Sequence, residues 1–246
     1  MRIYFLGTNG WYDTDTGNTV CVFIETENEY VIFDAGNGFY KIDQYIKCEK
    51  PVYLFLSHYH LDHVIGLHAL NKFNFKQGID IYGPSGLKML FKRVINAPYS
   101  MPISRLNTRL RLHEIKEGGF LPAQIEFKAL RHSSICYGYR LISEGKVVTY
   151  CTDTGICRNL SLLARDADLF IAESSLKPGE INNKWPHLNP EQAAEVASKS
   201  KCRRLILLHF DASNYLKMTA RKDAAVVARK IFRNTLAAED GLTIDL

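Results

Sequence analysis

The segment Ser57-His58-Tyr59-His60-Leu61-Asp62-His63 follows directly on an apolar run over 52–56, and this junction constrains the fold more than any other feature of the chain. An apolar run of that length reads as a strand buried on both faces, which requires further layers on either side of its sheet. Imidazole and carboxylate groups are then delivered to the C-terminal rim of the sheet, where sites in α/β proteins gather. Alternate residues of an extended segment face the same way, so His58 and His60 converge on one point while Asp62 and His63 turn towards a second. These are the usual ligands of zinc-like ions, and two such ions side by side can clamp both the attacking and the leaving oxygen of a displacement. At this composition the pattern H-x-H-x-D-H arises by chance about 0.0004 times per chain, so it signals chemistry.

The rest of the chain supplies the layers. Strands are expected over 2–6, 19–25 and 30–33, a mostly antiparallel start broken by turn-rich segments. A short helix over 39–47 leads to the strand over 52–56. Asp62 is placed to cap a helix carrying Val64, Leu67 and Leu70, and Pro84 to open another carrying Leu87, Leu90 and Val94. Further strands are expected over 111–115, 125–130, 137–142, 147–151, 169–172 and 204–209. Helices are expected over 160–165, 190–200 and 219–233, the second capped by Asn189 with Pro190 in its first turn. Two runs of strands, each closed by helices, predict a four-layer αββα sandwich of two mixed β-sheets flanked by helices. With 246 residues, 46% of them hydrophobic, the chain can build one such domain over 1–246, and no repeat or linker divides it.

Three downstream residues each stand where a strand should end: His132, Asp153 and His209. They complete two groups, His58, His60 and His132 around one metal and Asp62, His63 and His209 around the other, with Asp153 bridging. Seven ligands leave room for a water, which between two divalent ions loses its proton near neutrality and becomes a hydroxide nucleophile. His68 and His113 read as ordinary polar residues. No G-x-S-x-G elbow, P-loop or G-x-G-x-x-G fingerprint competes. The formal charge of +5 favours an anionic substrate through a local field but falls short of a protein that coats nucleic acid. No apolar stretch is long enough to span a bilayer, the first residues lack the h-region of a secretory signal, and six cysteines carry no C-x-x-C pair. A soluble protein of a reducing cytoplasm is expected, without a membrane partner.

The H-x-H-x-D-H motif with its later ligands in this order resembles the metallo-β-lactamase-fold hydrolases over nearly the whole chain. Gly7-Thr8 and Phe33-Asp34-Ala35-Gly36 resemble that family's early turns, which implies that Asp34 braces the metal loop; an ordinary turn aspartate is the plainer alternative. Asp153, within Cys151-Thr152-Asp153-Thr154-Gly155, resembles the bridging aspartate, whereas many true β-lactamases carry a cysteine at a corresponding ligand position, so antibiotic cleavage is disfavoured. Flavodiiron members typically have glutamate where His60 stands, which points away from redox iron and towards two divalent ions, zinc first and manganese second.

Within the family, Ile3-Tyr4-Phe5-Leu6-Gly7-Thr8, Ala172-Glu173-Ser174-Ser175 and His187-Leu188-Asn189-Pro190 are similar to the ribonuclease Z and cyclic-phosphodiesterase branch. The resemblance implies a catalytic set in which His187 stabilises the transferring phosphate or protonates the leaving oxygen, Glu173 orients His187, and Asp62 serves beside them. The bland alternatives are a solvated loop histidine and a strand-end carboxylate that merely caps or pairs. Ribonuclease Z enzymes commonly carry an arm for grasping transfer RNA between the positions matched by His132 and Asp153. Here two strands and the turn at Glu144-Gly145 fill that gap, so transfer-RNA maturation is in doubt.

The basic segment over 88–111, with Lys92, Arg93, Arg105 and Arg109, is open to two readings: a cap contacting phosphate, or a solvated helix face. The expected activity is hydrolysis of a cyclic or nucleotide-like phosphodiester or a short RNA. The alternatives are hydrolysis of a sulfate, thioester or lactone, an armless ribonuclease Z-like transfer-RNA 3′ endonuclease, and a metal-retaining ligand-binding or sensor protein. The branch also implies a homodimer.

Overall fold

In the computed structural model, which describes residues 1–116 and 118–246, the first half of the chain builds one sheet. Its strands are β1 (Arg2–Gly7), β3 (Cys21–Glu25), β4 (Tyr30–Phe33), β5 (Val52–Phe55), β6 (Ile79–Gly83) and β7 (Leu110–Glu114), with the short β2 (Asn9–Gly10) set apart. The second half contributes β8 (Ile125–Ala129), β9 (Tyr137–Ser143), β10 (Lys146–Cys151), β11 (Leu169–Glu173), β12 (Leu205–Leu208), β13 (Phe210–Asp211), β14 (Thr235–Ala237) and β15 (Thr243–Asp245). The first sheet has the order β15-β1-β3-β4-β5-β6-β7 and the second β14-β12-β11-β10-β9-β8. Each is mixed: β1, β3 and β4 pair antiparallel and β4 to β7 parallel, whereas β8, β9 and β10 pair antiparallel and β10, β11, β12 and β14 parallel.

Three apolar cores lie between four layers. Phe5, Val31, Phe33 and Phe55 of the first sheet meet Tyr139, Tyr150, Ile171 and Ile206 of the second across the central core, with Phe33 stacked on both Tyr139 and Tyr150. On the outer face of the first sheet, Leu54, Leu56 and Ile81 pack under Phe39, Leu67 and Leu90 of the helical segments. These are the 3-10 helices Asn37–Gln44 and Ile65–Lys72, and the α-helices α1 (Leu61–Val64) and α2 (Leu87–Arg93). On the far side α3 (Arg158–Ala164) buries Leu160 and Leu163, and α4 (Pro190–Lys199) and α5 (Met218–Arg229) bury alanine-rich faces, in one core with Phe170 and Leu207. The expected αββα sandwich is therefore the observed architecture. Pro190 opens α4, and Asn189 caps it in a reciprocal box with Gln192.

Some local expectations change. Asp62 does not cap the helix after the motif: His60 occupies that position, and Asp62 is the second helical residue with its carboxylate turned to the site. The helix over 39–47 is a 3-10 helix over Asn37–Gln44, because Gly36, Gly38 and the packing of Phe39 and Ile42 set a tighter path. β6 was not expected, since Asp80 interrupts its apolar pattern; the carboxylate leaves the strand sideways to pair with Arg111 and His113 on neighbouring β7. The short C-terminal strands β14 and β15 were also unexpected, each completing an edge begun elsewhere in the chain.

Strand direction explains how distant residues meet. β4 and β5 are parallel, so Asp34 and the histidine motif leave the first sheet at one rim. In the second sheet β10, β11 and β12 are parallel, and β8 runs with β10 because both are antiparallel to β9. His132, Asp153, Glu173 and His209 therefore leave by a common rim. Hydrogen bonds from Tyr137 N to Ser57 O (2.9 Å) and from Tyr139 Oη to Leu56 O (2.7 Å) bring that rim onto the first one.

Candidate metal centre

All seven residues expected as ligands converge at this double rim. His58, His60, His132 and Asp153 form one group and Asp62, His63 and His209 a second, with the potential ligand atoms of each group within 4.8 Å of one another. Asp153 divides its carboxylate between them. Its Oδ2 lies 3.6 Å from His58 Nε2 and 3.8 Å from His132 Nε2, while its Oδ1 lies 3.3 Å from His63 Nε2 and 3.1 Å from His209 Nε2. Asp62 Oδ2 faces only the second group, 3.1 Å from His209 Nε2. His68 and His113 are elsewhere, bonded to Ile65 O and Asp80 respectively.

The rings of these candidate ligands are held from behind. Asp34, fully buried, accepts hydrogen bonds from Ser57 N (2.7 Å), Ser57 Oγ (2.8 Å), Tyr150 Oη (2.7 Å) and His63 Nδ1 (2.8 Å). It is a brace for the motif rather than an ordinary turn residue. Ser175 Oγ, 3.0 Å from His209 Nδ1, does the same for His209, and a Cβ on Gly10 would stand 2.4 Å from that ring. Asp34, Asp153 and His209 all have positive φ (58°, 50° and 52°) without being glycine. Each such residue costs on the order of 1–3 kcal/mol, a strain that persists where surroundings over-determine it, as at functional sites. Arg221, fully buried in α5, donates to Thr8, Asn9 and Thr16 and lies under the Phe210 ring, so it ties the loop after β1 to the residue following His209.

His187 and Glu173 stand beside the same centre. Glu173 is fully buried and sits 2.9 Å from His187 Nδ1 with each carboxylate oxygen, which leaves Nε2 for the cavity. The loop histidine is thus not a solvated one. A cavity of about 660 Å³ opens over the centre, lined by His60, Asp62, Asp153, His187 and His209 together with Trp11, Leu61, Trp185 and smaller residues. Trp185 lies parallel to His60 (6.1 Å between centroids, 9°), and Trp11 N donates to Asp62 Oδ2 (2.8 Å). Sequence reasoning missed both tryptophans, although they are the chain's only two. Among the described residues no lysine or arginine of the segment over 88–111 lines the cavity, and Lys92, Arg93, Arg105 and Arg109 are exposed.

Comparison with known proteins agrees with this geometry. The profile of the β-lactamase superfamily domain matches residues 29–210, a span that runs from before Asp34 to beyond His209. The chain belongs to that superfamily. Ribonuclease Z from Synechocystis sp. is 26% identical to this superfamily member over 100% of this chain and 94% of its own length, and the alignment is longer than this chain, so that relative carries segments absent here. Ribonuclease Z from Ligilactobacillus salivarius is also 26% identical, over 100% and 97%. Among solved structures, the metallo-β-lactamase fold protein YhfI from Bacillus subtilis superposes with a TM-score of 0.81 at 19% identity, covering 99% of this chain and 98% of that one. The short form of human tRNase Z gives 0.76 at 23% identity, over 100% and 99%.

The electrostatics of this superfamily member suit cations. Burial, with neighbouring histidines, holds His58 well below the ordinary imidazole range, and burial pushes His132 to about 4 and lowers His60. Burial also opposes charge on His63 and His209, but the Asp153 and Asp62 carboxylates outweigh it and raise both. Conversely, burial works against ionisation of Asp62 and Asp153, and the histidines overcome it and hold both carboxyls below their usual range. His58 Nε2 is buried without a hydrogen-bond partner and faces Asp153, as a nitrogen reserved for a cation would. Neutral imidazoles on one side and anionic carboxylates throughout fit divalent ions, whose uptake would displace the protons of His63 and His209. Because Asp34 orients His63 and the Ser57 backbone, Asp34→Asn is expected to weaken metal retention or activity about 10–100-fold, read by competition with a chromogenic chelator.

Proposed function

We propose that residues 1–246 form one hydrolase domain, a dinuclear metal-dependent phosphodiesterase acting on a cyclic or nucleotide-like phosphodiester. The observation that carries this reading is the Asp153 carboxylate divided between two histidine groups, with the buried Glu173–His187 pair facing the same cavity. His58, His60 and His132 would hold one ion, Asp62, His63 and His209 the other, and Asp153 both. A donor set of five imidazoles and two carboxylates favours zinc, with manganese second. The ions would supply Lewis acidity at the phosphoryl oxygens and acidify the attacking water. Seven side chains held on two sheet rims fix the geometry in advance, so little reorganisation accompanies reaction.

His187 completes the chemistry. As the water oxygen bonds to phosphorus, the P–O bond to the leaving group breaks and the imidazolium Nε2–H donates its proton to the departing oxygen. Glu173 fixes the Nδ1–H tautomer and stabilises the charged ring. The proton lost by the water restores the imidazolium. The relatives named ribonuclease Z support phosphodiester chemistry. A long RNA is disfavoured: β9 and β10 are joined by the two-residue turn at Glu144-Gly145 where that branch places its arm, and among the described residues no lysine or arginine lines the cavity. No described helix is long and apolar enough to cross a membrane.

The test is a substrate panel with zinc- or manganese-loaded protein: bis-p-nitrophenyl phosphate, cyclic nucleotides, a short RNA, and p-nitrophenyl acetate and sulfate. Turnover of phosphodiesters that a chelator stops and added metal restores is expected. Turnover confined to the carboxylic or sulfate esters, or none on any phosphodiester, would reject the proposal.

A further inference from the structure

The metals and His187 account for the floor of the cavity, but its walls are unused by that chemistry. Trp185 and Trp11 are 49% and 65% exposed, and Leu61 beside them 63%. Three large apolar side chains held open to water around one anionic-ligand centre form an exposed apolar patch, which marks a binding surface. Both of the chain's tryptophans are here. Trp185 stands over the half of the centre made by His60, His132 and His187, with ring centroids 6.1, 6.0 and 6.1 Å away. Trp11 borders the Asp62 half, anchored by its own backbone N–H on Asp62, and its φ of 74° places it in the left-handed region that non-glycine residues avoid. The hydrogen bond and the left-handed φ hold the Trp11 backbone at the rim of the cavity.

The lining is as informative for its cations. Among the described residues it contains no lysine or arginine, so apart from the metal sites and His187 nothing in it would bind the repeated phosphates of a polyanion. A ligand that satisfies both facts carries one phosphodiester for the floor and a planar ring for the walls.

We infer that Trp185 is a specificity-determining residue that stacks on a ring carried by the substrate, with Trp11 bordering the same ring-binding space, and that the substrate class is a small nucleoside or aryl phosphodiester. This deepens the phosphodiesterase reading and rests on it. Offset stacking between an indole and a nucleobase is indifferent to which base is present, because every base has a π-face. The site therefore selects for a ring rather than for one nucleotide.

Two measurements test it. The first compares hydrolysis of adenosine 2′,3′-cyclic phosphate with that of 1-O-methylribose 2,3-cyclic phosphate, which has the same scissile group and no base. Trp185→Ala is expected to raise KM for the adenosine compound between about 5-fold and 150-fold, the span base–aromatic stacking yields, with little change in kcat. The abasic compound should be unaffected, and Trp185→Phe should restore most of the loss. The second follows tryptophan fluorescence of the metal-free protein during titration with adenosine monophosphate and, separately, ribose 5-phosphate. Saturable quenching by the nucleotide alone, removed in Trp185→Phe, is the expected result.

Equal loss on both cyclic phosphates in Trp185→Ala, or equal quenching by both titrants, would overturn the stacking assignment while leaving the hydrolase reading intact. Hydrolysis of neither cyclic phosphate, with nucleotide-specific quenching retained, would instead reject the phosphodiesterase reading for these compounds and keep the ring-binding wall.

Discussion

Replacing Asp153 by alanine is expected to remove metal and turnover together, lowering kcat/KM on a phosphodiester by about 1,000-fold or more. The magnitude follows from what the side chain touches. One carboxylate faces His58 and His132 through Oδ2 and His63 and His209 through Oδ1, so its loss opens both groups at once. Two ions in such a site are worth several kcal/mol of transition-state charge stabilisation, and each 1.4 kcal/mol is a factor of ten. Loss of a direct ligand shared by both ions should also exceed the roughly 10–100-fold effect on affinity that removing an outer partner produces. Elemental analysis after dialysis, kcat/KM and a thermal melt are read together. Asp153→Asn, which keeps the shape and one oxygen, should retain the fold and recover part of the metal. Full metal content with normal turnover in Asp153→Ala would remove the residue from the centre.

The second large effect belongs to His187. Substitution by glutamine should lower kcat about 100- to 10,000-fold on a diester whose leaving group is an alkoxide, the range for loss of a positioned general acid. On a p-nitrophenyl ester the loss should be small, since that leaving group departs without a proton. The pH dependence has a definite sign. Burial opposes charge on His187, yet the adjacent Glu173 carboxylate outweighs burial and lifts the imidazole from 6.5 to about 9. A raised value in the folded state means that the pair stabilises the fold fully below the unfolded value, near 6.5, and that this stabilisation is lost as the pH rises through about 9. Glu173→Gln removes the carboxylate and leaves burial, so the imidazole should titrate at lower pH and the alkaline limb of kcat should move down with it. An NMR titration of the metal-free protein measures the first, a kcat–pH profile of the loaded enzyme the second. An unmoved His187 titration in Glu173→Gln would contradict the pairing.

Much of the site was readable because its ligands obey strand grammar. His58, His60, Asp62 and His63 lie within six positions: backbone alternation turns His58 and His60 the same way, and the helix that begins at Leu61 carries Asp62 and His63 to a second point. His132, Asp153 and His209 each stand where an expected strand ends, the first after the alternating run over 125–130 and the others after the more apolar runs over 147–151 and 204–208. The brace at Asp34 and the proposed acid at His187 were visible through resemblance, since a lone aspartate in a turn or a lone histidine in a loop carries no local signal. The strands that were missed are short or broken by charge. Ile79–Gly83 alternates buried and half-buried residues, and on its half-buried face Asp80 pairs with Arg111 and His113 across the sheet, a partnership between residues far apart in sequence.

Period and spacing, which are local properties of a chain, were thus enough to lay out the layers and to single out the candidate ligands with their expected division into two groups. The bridging place of Asp153 and the Glu173–His187 pairing were expected, but which carboxylate oxygen meets which group, the full burial of Glu173 and the tryptophan walls of the cavity emerged from the folded chain. Those relations depend on strand direction and on how one rim closes over the other, and they arise between residues that no local pattern connects.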